Sequence, residues 1–153
     1  MKLHFAVAIA VTLAACTSSA ETVHAPAGEP QTGLERVPLT ITTATGVHHF
    51  KVEVAGTEQQ QSKGLMFVRS LAPNHGMIFP FRPPQEVSFW MENTLIPLDI
   101  VFIRQDHTIA RITNAKPLDE TLLPSGEPIV AVLEIRGGRA QQLRMAPGDK
   151  VSW

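Results

Sequence analysis

Downstream of Val37, hydrophobic and polar residues alternate in short runs separated by Gly, Pro, Asn and Asp. That is the pattern of β-strands and tight turns. "VPLTITT" and "VHHFKVEVA" flank Ala44-Thr45-Gly46, which predicts a hairpin. In its second strand His48, Phe50, Val52 and Val54 form the more apolar face. Thr57 followed by Gln60 has the form of a capping box, and Gly64 suits a helix end, so a helix of about two turns is expected between them. "GMIF" reads as a short strand that "PFRPPQ", with its three prolines, should not continue. "EVSFWM" and "LDIVFIR" are strands joined by "ENTLIP", and "TIARIT" returns after a turn at "QDH". "NAKPLDETLLPSGEP" is a long loop, and Gly137-Gly138 ends the strand "IVAVLEIR". "RAQQLRM" suits a short helix, and "APGD" turns into a final strand, "KVSW". This predicts an all-β fold with one or two short helices, a single compact jelly-roll or barrel-like sandwich.

Two strands are apolar on both faces and should be covered on both sides. Each carries one acid. On "LDIVFI" it is Asp99, beside Val101 and Ile103; on "IVAVLEIR" it is Glu134, beside Val130 and Val132. A buried carboxylate without a partner costs several kcal/mol. On a structural reading, Asp99 accepts backbone N–H bonds from the "ENTLIP" loop and Glu134 pairs with Arg69 or Arg111. On a functional reading, one or both line a pocket. Trp90 shares a strand face with Glu86 and Ser88, and its ring is either wedged under a loop or one wall of a cleft. A ligand site is therefore expected beside Trp90, bounded by Asn93, Thr94 and Arg69, with Asp99 and Glu134 as its acids.

The chain has 153 residues, room for one domain, and 44% hydrophobic residues, enough for a core. A formal charge of −1 with no basic patch argues against nucleic-acid partners. The N-terminus changes the picture more. Lys2 precedes an apolar run, Leu3 to Ala14, of about 12 residues, too short to span a bilayer roughly 30 Å thick. This is the form of a secretory signal. The sole cysteine, Cys16, ends "LAAC", which resembles a bacterial lipobox; cleavage after Ala20 is the simpler alternative. The expected organisation is a signal peptide over 1–16, a flexible tether over 17–36 and a β domain over 37–153. The expected location is extracytoplasmic, periplasmic, with the membrane contacted only through lipidated Cys16.

Catalytic chemistry finds little support. No G-x-S-x-G is present, and the β domain has no cysteine. His48 and His49 are adjacent on a strand and point to opposite faces, while His75 and His107 stand alone, so no metal is expected. No phosphate-loop or dinucleotide fingerprint occurs, and no cofactor is expected. The leading expectation is a non-catalytic binding or accessory module of the cell envelope, its partner a small molecule, glycan or peptide. The alternatives are a purely structural domain and a hydrolase acting on envelope carbohydrate or peptide through Asp99, Glu134 or Glu92. An exposed Trp90 with a carboxyl of raised pKa would favour the enzyme. A buried Trp90 with every acid paired would favour the structural domain.

"KGLMFVRSL", "GMIFPF", "SFWMENTLIPLDIVFI", "VLEI" and "MAPGDKV", in this order, resemble domain-of-unknown-function family 192. The resemblance spans Val37 to Val151 and includes Arg69, Trp90, Asn93, Thr94, Asp99 and Glu134 among its signature positions. It implies a compact jelly-roll type of β fold, often behind a secretion or lipoprotein signal, and brings no established reaction. The chain departs from the family at "GEPIVAV", where an aromatic residue is common.

Overall fold

The computed structural model describes residues 27–153; the expected signal segment and Cys16 lie outside the described residues. The strands are β1 (Arg36–Thr43), β2 (Gly46–Val54), β3 (His75–Gln85), β4 (Ser88–Phe89), β5 (Leu98–Ile103), β6 (Ile109–Ala115), β7 (Leu123–Pro124), β8 (Ile129–Arg136) and β9 (Lys150–Ser152). Two short helices, α1 (Glu58–Lys63) and α2 (Arg139–Gln142), complete the fold. Seven strands form one curled sheet in the order β6-β5-β8-β3-β2-β1-β9. Its edges meet at one end, where Thr108 bridges to Lys150 and Ile109 N–H donates to the Asp149 carbonyl at 2.9 Å. The fold is thus all-β and barrel-like, as the alternation requires.

Each face of the sheet buries its own core. Leu39, Ile41, Phe50, Val52, Ile78, Leu133 and Val151, drawn from β1, β2, β3, β8 and β9, meet inside the curl. Met77, Phe79, Leu98, Ile100, Phe102 and Val132 lie on the outer face under Leu65 and Met91, which belong to covering segments. Hence β5 is buried along its whole length.

The outer cover follows from topology. β2 and β3 run parallel, so the chain must cross over between them, and the crossover carries α1 across the outer face. Thr57 and Gln60 form the expected capping box: Thr57 Oγ1 accepts from Gln60 N–H at 3.2 Å, and Gln60 Oε1 accepts from Thr57 N–H at 3.0 Å. Gln61 Nε2 then donates to the Pro80 carbonyl at 3.0 Å and ties the helix to β3. Thr57→Ala should lower stability by about 1 kcal/mol, read as a lower urea midpoint at unchanged slope. An unaltered midpoint would show that packing alone holds α1.

Three features differ from the sequence reading. β3 continues through Pro80, Pro83 and Pro84 to Gln85. Its pairing with β2 has ended at Ile78, and its register with β8 shifts between Pro80 and Gln85, so the prolines occupy positions where the ladder asks for no N–H. "EVSFWM" contributes only Ser88–Phe89, paired with β7 from the expected long loop. The last part of the expected tether packs on the domain: Gln31 Nε2 donates to the carbonyls of Gln60 and Gly64 at 3.0 and 2.8 Å. The Gly64 carbonyl, just past the helix end, gains its partner from this amide, while the Gln60 carbonyl also accepts Gly64 N–H at 2.9 Å.

Candidate functional site

Asp99 and Glu134 face opposite sides of the sheet. Asp99 pairs across the ladder with Ile135, which belongs to the inner core, whereas Glu134 lies between Met77 of β3 and Ile100 of β5, both in the outer core. The two acids therefore do not form a carboxylate pair, and the hydrolase reading loses that combination.

Asp99 is fully buried and satisfied. Its Oδ1 accepts from the Asn114 side-chain amide and from Gly138 N–H at 3.0 Å, and its Oδ2 accepts from Ala140 N–H at 2.7 Å. It fastens the start of α2 to β5. The expected donors in "ENTLIP" do not supply these bonds. Gly137 explains why: its N–H bonds the Pro97 carbonyl at 2.9 Å, which draws the Gly137-Gly138 turn, not the loop, over Asp99.

Glu134 is the opposite case. It is 5% exposed, and no ion pair or side-chain hydrogen bond holds its carboxyl among the described residues. Arg111, offered as its partner, instead donates to the Pro124 carbonyl and Thr113 Oγ1, and Arg69 is exposed. Every described side-chain oxygen or nitrogen sealed from solvent has a partner, so the Glu134 carboxyl is reached from a cavity. Burial between apolar strands pushes its pKa up from 4.5 to about 8. At pH 7 it is mostly the neutral acid, able to donate a hydrogen bond.

That cavity has a volume of about 270 Å³. Glu134, Phe79 and Phe81 line its sheet side. Gln61, Ser62 and Lys63 of α1, with Gly64, Leu65 and Met66, form one wall; Val87, Ser88, Phe89, Trp90 and Thr94 form the other. Phe89 stands edge-on to Phe79, ring centroids 5.1 Å apart, and edge-on to Phe102 at 6.4 Å, which fixes the aromatic lining. Trp90 is 47% exposed at the rim. The walls are joined where Phe67 N–H donates to the Asn93 carbonyl at 2.9 Å. Both residues have left-handed backbones, with φ of 65° and 53°. Asn tolerates that conformation; Phe seldom adopts it, and such strain collects at functional sites.

Of the residues expected at the site, Trp90, Thr94 and Glu134 line the cavity, and Asn93 braces its walls. Arg69 and Asp99 do not line it, and neither does Glu92. Phe79, Phe81, Met66 and Lys63 escaped the sequence reading. "GMIFPF" held a usable signal: Met77, Phe79 and Phe81 alternate, so they share a face, and Met77 is opposite Glu134.

Among curated proteins no significant match is found. Two solved structures are close. A protein of unknown function from Novosphingobium aromaticivorans DSM 12444 shares 50% identity at a TM-score of 0.79, over 86% of this chain and 94% of that one. A protein from Sinorhizobium meliloti 1021, described as a "putative transcription regulator", shares 39% identity at a TM-score of 0.77, over 80% of this chain and 96% of that one. Residues 39–153 match domain-of-unknown-function family 192, described as an uncharacterized ACR, and the chain belongs to that family.

Proposed function

We propose that this protein is a non-catalytic binding module that holds a small ligand in the cavity over Glu134, outside the cytoplasm. One observation carries the reading: Glu134 is a residue only 5% exposed whose carboxyl has no partner among the described residues and faces an aromatic-lined cavity. Such a group is costly to keep, and a ligand that bonds it recovers the cost. The aromatic lining supplies apolar contact and Glu134 supplies orientation, the usual division of labour in a small-molecule site. The extracytoplasmic placement rests on Lys2, the apolar run to Ala14 and "LAAC". Accordingly, Cys16→Ala should leave the membrane fraction of a bacterial host; fractionation with the wild type would remove the lipid anchor.

Hydrolysis keeps two observations in its favour, the pair that the sequence reading set as favouring an enzyme: Glu134 is an acid protonated at pH 7, as general-acid catalysis needs, and Trp90 is exposed. It lacks the second carboxylate, because Asp99 is committed to α2 and Glu92 does not line the cavity.

A fragment screen read by the Trp90 indole N–H resonance tests the binding reading. Binders should shift that signal, and Trp90→Ala should weaken them about tenfold, the loss of one aromatic anchor. Glu86→Ala, exposed and not lining the cavity, should change nothing. Binders that shift other regions and leave Trp90 unmoved would place the site elsewhere.

A further inference from the structure

Resting on the cavity as the ligand site, we infer that its ligand is a small organic cation, an alkylammonium whose charge pairs with the Glu134 carboxylate while its carbon groups lie against Phe79, Phe89 and Trp90. The acid is available for this because no cation among the described residues holds it. Among the described residues Lys63 is the one other charged residue on the cavity walls, and its Nζ lies 4.4 Å from the Phe67 ring centroid. The rings add a second attraction. Aromatic faces carry negative charge density and draw cations, most strongly where water is excluded. A buried carboxylate ringed by aromatic side chains offers a cation both a counter-charge and a lining that desolvates it. An anionic ligand would meet like charge wherever Glu134 ionises, and a neutral one would use only a hydrogen bond.

The exchange balances simply. The Glu134 carboxyl releases its proton to solvent, and the ammonium takes its place as the partner of the carboxylate. No bond of the ligand is made or broken. Among the described residues the one ionisable group facing Glu134 is Lys63 of α1; Met77 of β3 and Ile100 of β5 flank Glu134, and Ser88, Trp90 and Thr94 come from the opposite wall, none of them titrating here. Proton release therefore falls to Glu134 itself.

Calorimetric titration of the full chain with tetramethylammonium chloride, against equal sodium chloride, tests the inference. Tetramethylammonium keeps its charge at every pH, so any pH dependence belongs to the protein. Affinity should rise about tenfold from pH 6 to pH 7 and level off above pH 8. In Glu134→Gln the affinity should fall at least about tenfold and lose its pH dependence. The wild-type profile decides the matter even if that variant fails to fold. A neutral probe of like shape, 3,3-dimethylbutan-2-one, separates the two readings. If the ketone binds more tightly, with affinity flat below pH 8 and falling above it, the cation is wrong and the cavity stands. If neither probe binds, the cation is again wrong, and the Trp90-detected screen then decides the cavity independently.

Discussion

Asp99→Ala should lower the free energy of unfolding by roughly 3–6 kcal/mol, among the largest single-residue effects in this domain. Three donors converge on this carboxylate: the Asn114 amide, Gly138 N–H and Ala140 N–H. Removing the acceptor strands them in a region where Asp99 itself has no exposure. A buried donor left unsatisfied costs about 1–3 kcal/mol. Asp99→Asn should fall between the variant and the wild type, since an amide keeps one oxygen but turns an NH₂ toward a donor. Urea unfolding measures both. An Asp99→Ala midpoint equal to the wild type would mean that water replaces the carboxylate and α2 needs no clasp.

Glu134→Gln should act in the other direction, and only at higher pH. The folded protein holds the Glu134 proton up to about pH 8, while the unfolded chain releases it near 4.5. Between these values the folded state binds more protons, so unfolding becomes easier as pH rises. The stability linked to Glu134 is complete below pH 4.5, is lost across the window, and is gone above pH 8. Each pH unit is worth about 1.4 kcal/mol, so the full loss is roughly 3–5 kcal/mol. Gln resembles the neutral acid and does not titrate. Wild type and Glu134→Gln should thus unfold alike at pH 5, and the variant should be the more stable by a few kcal/mol at pH 8.5. A gap that stays constant across that range would mean Glu134 ionises as an ordinary surface acid.

Local chemistry was well legible in the sequence. The hairpin at Ala44-Thr45, the Thr57–Gln60 box and the two-faced burial of β5 each follow from residues close together in the chain. Asp99 and Glu134 stood out because they interrupt strands that are apolar on both faces. Their different fates were not legible. Asp99 is satisfied by Asn114, Gly138 and Ala140, which are 15, 39 and 41 positions away. Only the register of β5 against β6 and β8 brings those donors to it and turns Glu134 to the other face. The same limit applies to the cavity. Trp90 and Thr94 are near neighbours, so their shared rim could be inferred, but the α1 wall depends on a crossover whose docking no short motif reveals. Arg69 illustrates the point: it follows α1 closely in sequence, yet the backbone turn at Phe67 leaves it in solvent. The prolines of β3 misled for a related reason, because their cost depends on which neighbouring strand is absent.

Glu134, without a partner among the described residues, is a protonated acid beneath an aromatic cavity at neutral pH. Carbon-13 NMR of the side-chain carboxyl, assigned by its loss in Glu134→Gln, tests this directly in the ligand-free protein. The Glu134 resonance should keep the chemical shift of a protonated carboxyl through pH 6 and titrate near pH 8. A midpoint in the ordinary carboxylate range, near 4.5, would show a solvated or paired acid and contradict an unpartnered, buried Glu134.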